Sequence, residues 1–136
     1  MVDKGIYLLV IRLDQDKEIV VGALGKVPFK RGFYLYVGSA KNGLKNRISR
    51  HLKKEKKKHW HIDYLLEHGD IVDVKVKLGG SEEECLLAKK VRDFTEPIPD
   101  FGSSDCRCKA HLFYHPQSLS ELNKNIKRIL DIDNYS

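Results

Sequence analysis

Residues 32–61 constrain this chain more than any other stretch, because three local patterns that cannot belong to one element follow one another there. Phe33, Leu35 and Val37 alternate with Tyr34 and Tyr36, so the stretch begins as a strand whose tyrosines point away from the apolar trio. Gly38-Ser39-Ala40-Lys41-Asn42-Gly43 breaks that strand, and Asn42 or Ser39 is placed to cap a following helix. In that helix Leu44, Ile48 and Leu52 recur at four-residue spacing and are expected to face the core. Arg47 and His51, also four apart, share the flank of the stripe and can line a cleft, while Arg50, Lys53 and Lys54 point outward. A strand, a glycine-bounded turn and a basic helix must therefore be held together by the rest of the chain.

The charge is concentrated in the same place. Of the formal net charge of +6, residues 41–61 carry nine Lys and Arg against the single acid Glu55, leaving 16 basic and 18 acidic residues elsewhere. Such a concentration is what a polyanion footprint needs, because neutralised phosphates release counterions. Lys41, Lys45, Arg50, Lys53, Lys54, Lys57 and Lys58 are the candidate nucleic-acid-binding cations, with a solvated lysine-rich helix as the plain alternative. His59-Trp60-His61 with Asp63 either packs a second helix onto the sheet or offers Trp60 for base stacking.

With 136 residues, the chain has room for one core. Its hydrophobic fraction of 41% and charged fraction of 32% are those of an ordinary globular protein. Met-Val-Asp-Lys-Gly opens with a charge pair rather than a signal peptide, and no apolar run approaches a membrane span, so a cytoplasmic protein without membrane partners is expected. Three cysteines, Cys85, Cys106 and Cys108, read as thiols or metal ligands rather than a disulfide framework.

Residues 5–13, Gly-Ile-Tyr-Leu-Leu-Val-Ile-Arg-Leu, read as a buried strand, and residues 18–23 as its hairpin partner. Residues 25–32 read as a loop, because Pro28 interrupts a ladder. A second helix covers residues 61–67. Residues 70–78 alternate Val72, Val74, Val76 and Leu78 with Asp73, Lys75 and Lys77, a strand with one wet face. A helix opening at Ser81 presents Leu86, Leu87, Val91 and Phe94; residues 96–108 are loop-like; residues 111–115 form a short strand. The last helix runs through Leu119, Leu122, Ile126 and Ile129. The fold class is α+β, a small mixed, largely antiparallel sheet flanked by helices. It is one domain over residues 1–136, with a core to about residue 95 and a strand-and-helix extension from about 96.

Gly5-Ile6-Tyr7 on the first strand, Tyr36-Val37-Gly38 on a later one and a helix bearing Arg47 resemble the GIY-YIG nuclease superfamily. Within it, Tyr-Val-Gly-Ser-Ala-Lys-Asn-Gly-Leu-Lys-Asn-Arg-Ile resembles the motif of the excision-repair nuclease domain, with Gly43 as one extra residue. The chain as a whole is most similar to a small, mostly archaeal, standalone branch with Gly-Ser-Ala, His-Trp-His-Ile-Asp and Ser-Asp-Cys stretches. The resemblance implies a metal-dependent endonuclease hydrolysing phosphodiester bonds in DNA rather than RNA, in repair or recombination, with a partner repair enzyme conceivable.

By the same resemblance, Tyr36 acts as general base on a water or passes its proton on, and Tyr7 orients the phosphate or water. A free phenol, with a pKa near ~10, needs nearby positive charge or a metal to serve as a base. Arg47 binds the scissile phosphate and offsets transition-state charge, and His51 assists proton transfer or holds the leaving oxygen. Glu84 matches the helical glutamate that holds one Mg2+ or Mn2+ ion. The carboxylate has a competing use, because Ser81 three residues earlier makes a capping box, and Glu82 or Glu83 could then be the ligand.

Two positions depart from the pattern: Ser39 stands where many relatives carry lysine, and their asparagine beyond the glutamate helix has no clear counterpart. Cys106, Cys108 and His111 form a Cys-x-Cys-x-x-His set that zinc could use, with His115 or Asp105 as a fourth ligand. Two other function classes therefore stand beside the nuclease: a non-catalytic nucleic-acid-binding module and a zinc-stabilised interaction domain.

Overall fold

A computed structural model describes residues 4–40, 43–53, 57–58, 61–78, 84–98, 111–116, 118–129 and 133–134. Its organising element is β1 (Gly5–Leu13), a nine-residue strand with only Arg12 exposed. The run has no polar side because both of its faces are covered. Ile6, Leu8 and Val10 enter one core, whereas Tyr7, Leu9, Ile11 and Leu13 enter another on the opposite face. A strand buried on both faces gains nothing from polar alternation, so its sequence reads as continuous apolar residues.

Both edges of β1 are also used. It pairs antiparallel with β4 (Gly32–Ala40) on one side and with β5 (Asp70–Leu78) on the other. The remaining strands are β2 (Lys17–Val20), β3 (Lys26–Phe29), β6 (Glu96–Ile98), β7 (Leu112–His115) and β8 (Asp133–Asn134). Among the described residues the main sheet has the order β6-β7-β4-β1-β5-β8, and every ladder is antiparallel, so the α+β expectation narrows to a sheet with no parallel pair. The expected hairpin between the first two strands does not form. With both edges of β1 occupied, β2 pairs instead with β3 as a separate ribbon, which places Ile19 and Phe29 in the core beneath it. Pro28 is tolerated inside β3 because a two-stranded ribbon consists of edges.

Among the described residues four α-helices flank the sheet: α1 (Leu44–Leu52), α2 (His61–Leu66), α3 (Glu84–Arg92) and α4 (Leu119–Ile129). Leu44 and Ile48 of α1 and Ile62 and Leu65 of α2 pack on the Tyr7 face, whereas Leu87 and Val91 of α3 and Leu122 and Ile126 of α4 pack on the other. The chain beyond residue 95 contributes to the same sheet and core. Its β7 lies against β4, and Phe113 and Leu122 are fully buried in the same core as Leu35.

Several apolar residues expected inside lie outside for geometric reasons. Leu52 is 51% exposed, and His51 takes the buried place on α1. Each four-residue step overshoots a helical turn by about 40°, so two such steps leave the stripe, whereas seven residues return to within about 20° of it. Leu86 and Leu119 are exposed in the same way, with Ala88 completing the buried side of α3. On β5, Val72 is exposed and Ile71 packs inward, because the pairing shifts by one residue opposite Val10 and Ile11. A bulge of this kind reverses the alternation of side chains beyond it. No described helix is long and apolar enough to cross a membrane.

Gly5 is required by the β1–β5 contact, since a Cβ there would lie 2.4 Å from the Lys77 carbonyl oxygen. Gly5→Ala is expected to destabilise the protein by about 1–3 kcal/mol, the cost of forcing an atom into a filled space. A urea midpoint unchanged from wild type would show that β5 yields without cost.

Candidate functional site

The chemistry-bearing residues gather at the end of the sheet where β1 begins and β4 finishes. Tyr7 stands opposite Gly38 in the β1–β4 ladder, and its ring rests directly on that glycine. A Cβ on Gly38 would lie 2.4 Å from the Tyr7 hydroxyl oxygen, so the last glycine of Tyr36-Val37-Gly38 is there to admit the ring. Two residues further along β1, Leu9 pairs with Tyr36, which places Tyr7 and Tyr36 on the same face with ring centroids 6.5 Å apart.

Helix α1 brings the remaining groups over these rings. It starts at Gly43, whose left-handed φ of 72° and ψ of 36° occupy the N-cap position without a capping side chain. The expected cap by Ser39 is not made, since Ser39 ends up inside β4 and Asn42 lies outside the described residues. Glycine takes the left-handed conformation without the steric penalty other residues bear there. Leu44 and Ile48 seat the helix, and His51 Nε2 then lies 2.8 Å from the Tyr7 hydroxyl oxygen in a buried hydrogen bond. The His51 ring is 5.4 Å from that of Tyr7 and 6.0 Å from that of Tyr36. Arg47 donates from Nη1 to the Ser39 carbonyl, and its charge acts on Tyr7.

Glu84 lies on the side of the sheet that α3 covers, where it meets His111. It is the first residue of α3, and its carboxylate oxygen Oε2 lies 3.5 Å from His111 Nε2. Its charge acts on Tyr7, as does that of Arg47. Ser81, Glu82 and Glu83 lie outside the described residues, and with them the capping-box alternative. His111, grouped with Cys106 and Cys108 by its spacing, is a member of this cluster: it is 4% exposed, and its carbonyl accepts a hydrogen bond of 2.9 Å from the Val37 amide. Its position directly before the apolar Leu112-Phe113 run was the available signal. Cys106 and Cys108 lie outside the described residues.

Burial raises the Tyr7 phenol well above the usual tyrosine range, the neighbouring Tyr36 adding to the effect and Arg47 opposing it. Tyr7 is therefore a neutral hydroxyl that donates, accepts or relays a proton rather than a standing phenolate. Tyr36 is 7% exposed against 2% for Tyr7, so of the two hydroxyl-bearing rings it is the less enclosed.

The basic stretch divides into two kinds of cation. Arg50, expected to point outward, is instead bidentate to Asp63, with Nη1 to Oδ1 at 3.0 Å and Nη2 to Oδ2 at 2.9 Å, and it also donates to the Lys57 carbonyl at 2.9 Å. The Asp63 side chain has no exposed surface, and a buried carboxylate requires such a partner. Lys58 pairs with Glu67 at 2.6 Å and lies over the Tyr64 ring at 5.7 Å. Lys45, Lys53 and Lys57 are exposed on and just after α1, whereas Lys41, Lys54, His59 and Trp60 lie outside the described residues.

Arg50→Ala is expected to cost about 3 kcal/mol, since it leaves Asp63 charged and buried. Lys57→Ala is expected to stay within about 0.5 kcal/mol of wild type, and equal urea midpoints for the two variants would contradict the assignment. The tyrosines supply a pH test. Burial raises both Tyr7 and Tyr34 above their unfolded value near ~10. Stability is therefore fully present below about pH 10 and is lost above it, as the unfolded chain releases protons that the folded chain holds. Absorbance titration at 295 nm is expected to show tyrosines that ionise only with unfolding, two fewer in Tyr7→Phe/Tyr34→Phe; a full phenolate signal before loss of circular dichroism would contradict their burial.

No curated protein and no solved structure matches the chain. A family model matches residues 6–132, from the second residue of β1 to beyond α4, and the chain therefore belongs to the family described as Domain of unknown function DUF123.

Proposed function

We propose that this protein is a metal-dependent endonuclease that hydrolyses phosphodiester bonds in DNA. The observation that carries the reading is the convergence of Tyr7, Tyr36, Arg47, His51 and Glu84, drawn from β1, β4, α1 and α3, on one end of the sheet. The exposed Lys45, Lys53 and Lys57 beside it supply non-specific attraction for a phosphate backbone.

Each residue has a task that its surroundings support. Arg47, steadied by the Ser39 carbonyl, is the cation assigned to the scissile phosphate and to the charge that builds on it. Tyr36 is the phenol assigned to the attacking water, whose proton it takes or passes on. His51, bound to Tyr7 and within ring contact of Tyr36, is the imidazole assigned to proton transfer at the end of this path. Tyr7 holds the imidazole in place and passes on a proton without becoming an anion. Ser39 leaves Tyr36 without an adjacent lysine, and His51 and Arg47 are the groups that compensate for it.

Among the described residues, no group of three or more His, Cys, Asp and Glu side chains is placed to hold an ion. The Glu84 carboxylate, 15% exposed and 3.5 Å from His111 Nε2, is the group assigned to Mg2+ or Mn2+, which keep several waters and take other ligands from substrate phosphate. When bound there, the ion would supply Lewis-acid stabilisation of the phosphate and the leaving oxygen.

The test is nicking and cleavage of supercoiled, branched and damaged DNA, and of RNA, with Mg2+ or Mn2+. Arg47→Ala and Glu84→Gln are each expected to lower the rate by about 10²–10³, the range for losing one group that stabilises transition-state charge. Binding to every substrate with no cleavage under either metal would replace this reading with that of a nucleic-acid-binding module.

A further inference from the structure

At the end of β4 away from the candidate site, three hydrogen bonds fasten the backbone of two consecutive basic residues. The Tyr34 hydroxyl donates to the Lys30 carbonyl at 2.6 Å, the Tyr114 hydroxyl donates to the Arg31 carbonyl at 2.7 Å, and the Arg31 amide donates to Asp16 Oδ1 at 2.6 Å. Both residues so held are exposed. We propose that this Lys30-Arg31 corner is a second phosphate contact, and that the protein takes a DNA duplex long enough to reach from it to Arg47. The assignment rests on the endonuclease reading for the position of the scissile phosphate, and names an extended duplex as the substrate class.

Local charge is the first argument. Arg12 pairs with Asp14 and Lys26 with Glu18, which leaves Lys17, Lys30 and Arg31 beside Asp16 and Glu96, the two acids whose charge acts on Tyr114. Asp16 is already engaged by the Arg31 amide. A cavity of about 320 Å³, lined by Asp16, Lys17, Glu18, Pro28, Phe29 and Lys30, opens at the same corner and gives a sugar-phosphate unit apolar as well as cationic neighbours. Because the backbone is fastened before any ligand arrives, little ordering remains to be done on binding.

Continuity with α1 is the second argument. Ile19 and Phe29 enter the core that holds Tyr7, Leu44, Ile48 and Ile62, so the β2–β3 ribbon, α2 and α1 cover one face of the sheet. Within that layer the ribbon meets α2, since a Cβ on Gly22 would lie 3.4 Å from the Tyr64 hydroxyl oxygen. Lys58, from the segment after α1, lies over the same Tyr64 ring. Exposed lysines therefore lead from Lys45 and Lys53 through Lys57 and Lys58 toward the ribbon.

Length is the third. Arg31 directly precedes β4, and Ser39, whose carbonyl holds Arg47, lies near the other end of that strand. Eight strand steps of about 3.3 Å make about 26 Å, or about eight base-pair steps of 3.4 Å. A duplex is stiff over this span and bridges both points without bending, whereas a single strand must first be ordered. Phosphate contacts carry no sequence information, so the corner sets the direction in which the duplex lies rather than the sequence chosen.

Fluorescence anisotropy in EDTA with DNA stem-loops of 6 and 20 base pairs tests this. Lys30→Ala/Arg31→Ala is expected to weaken binding of the 20-base-pair stem about 10-fold, to lower the slope of log affinity against log salt by about 2, and to change the 6-base-pair stem less than about 2-fold. Lys89→Ala/Arg92→Ala removes the same charge from α3 on the other face, and is expected to stay within about 2-fold of wild type on both stems. Equal loss on the two stems, loss matched by the α3 variant, or no loss on the long stem would overturn the inference and leave the endonuclease reading standing. Wild type that binds neither stem would overturn both. Length-dependent loss in a protein that cleaves no substrate would uphold the corner and overturn the catalytic reading. Should the double substitution disturb the circular dichroism, Lys30→Ala and Arg31→Ala singly, each expected to lower the salt slope by about 1, decide by the same criteria.

Discussion

The ring of Tyr7 lying on the bare backbone of Gly38 is the contact from which the rest of the site follows. Facing residues of an antiparallel ladder normally hold each other's side chains apart, but a glycine leaves a hollow into which an aromatic ring can settle. Settled there, Tyr7 is almost wholly buried, and its hydroxyl meets His51 on α1. The same contact therefore joins β1 to β4, the sheet to the helix and the hydrophobic core to the polar cluster. Gly5 does comparable work on the other edge of β1, where it lets β5 approach. The two glycines of the paired motifs are packing devices before they are anything else.

Arg47 and Arg50 occupy one helix three positions apart, yet their surroundings give them opposite tasks. Arg50 turns toward α2 and neutralises the buried Asp63, and its bond to the Lys57 carbonyl fixes part of the basic segment. Such a pair is a condition of folding rather than a bonus, since loss of either partner leaves the other poorly solvated. Arg47 turns toward the sheet end, where it donates to the Ser39 carbonyl and its charge acts on Tyr7.

The sheet has a core on each face, and the site sits at the rim where the two faces meet. Tyr7, Tyr36, Arg47 and His51 belong to one face; Glu84 and His111 arrive from the side of α3 and β7. This arrangement keeps the acidic and basic halves apart in the chain but adjacent in space. The pairing of β7 with β4 carries His111 into place.

Much of this could be read from residue order, because the properties concerned are local. The burial of β1, the opposite facing of Tyr36 and its apolar neighbours, and the shared flank of Arg47 and His51 all follow from strand and helix periodicity. The concentration of charge in residues 41–61 is likewise a property of order and not of fold. Long-range competition was not legible. That β2 would find both edges of β1 occupied, that Val72 would fall at a bulge, and that Leu52 would yield its place to His51 depend on partners distant in the chain. The pairings of Arg50 with Asp63 and of Glu84 with His111 are of the same kind, since no spacing rule connects residues brought together by separate elements. The sequence by itself determined which polar groups were available; the tertiary structure alone decided which of them gather at the end of the sheet, because burial allows a charge to exist only where a partner is within reach.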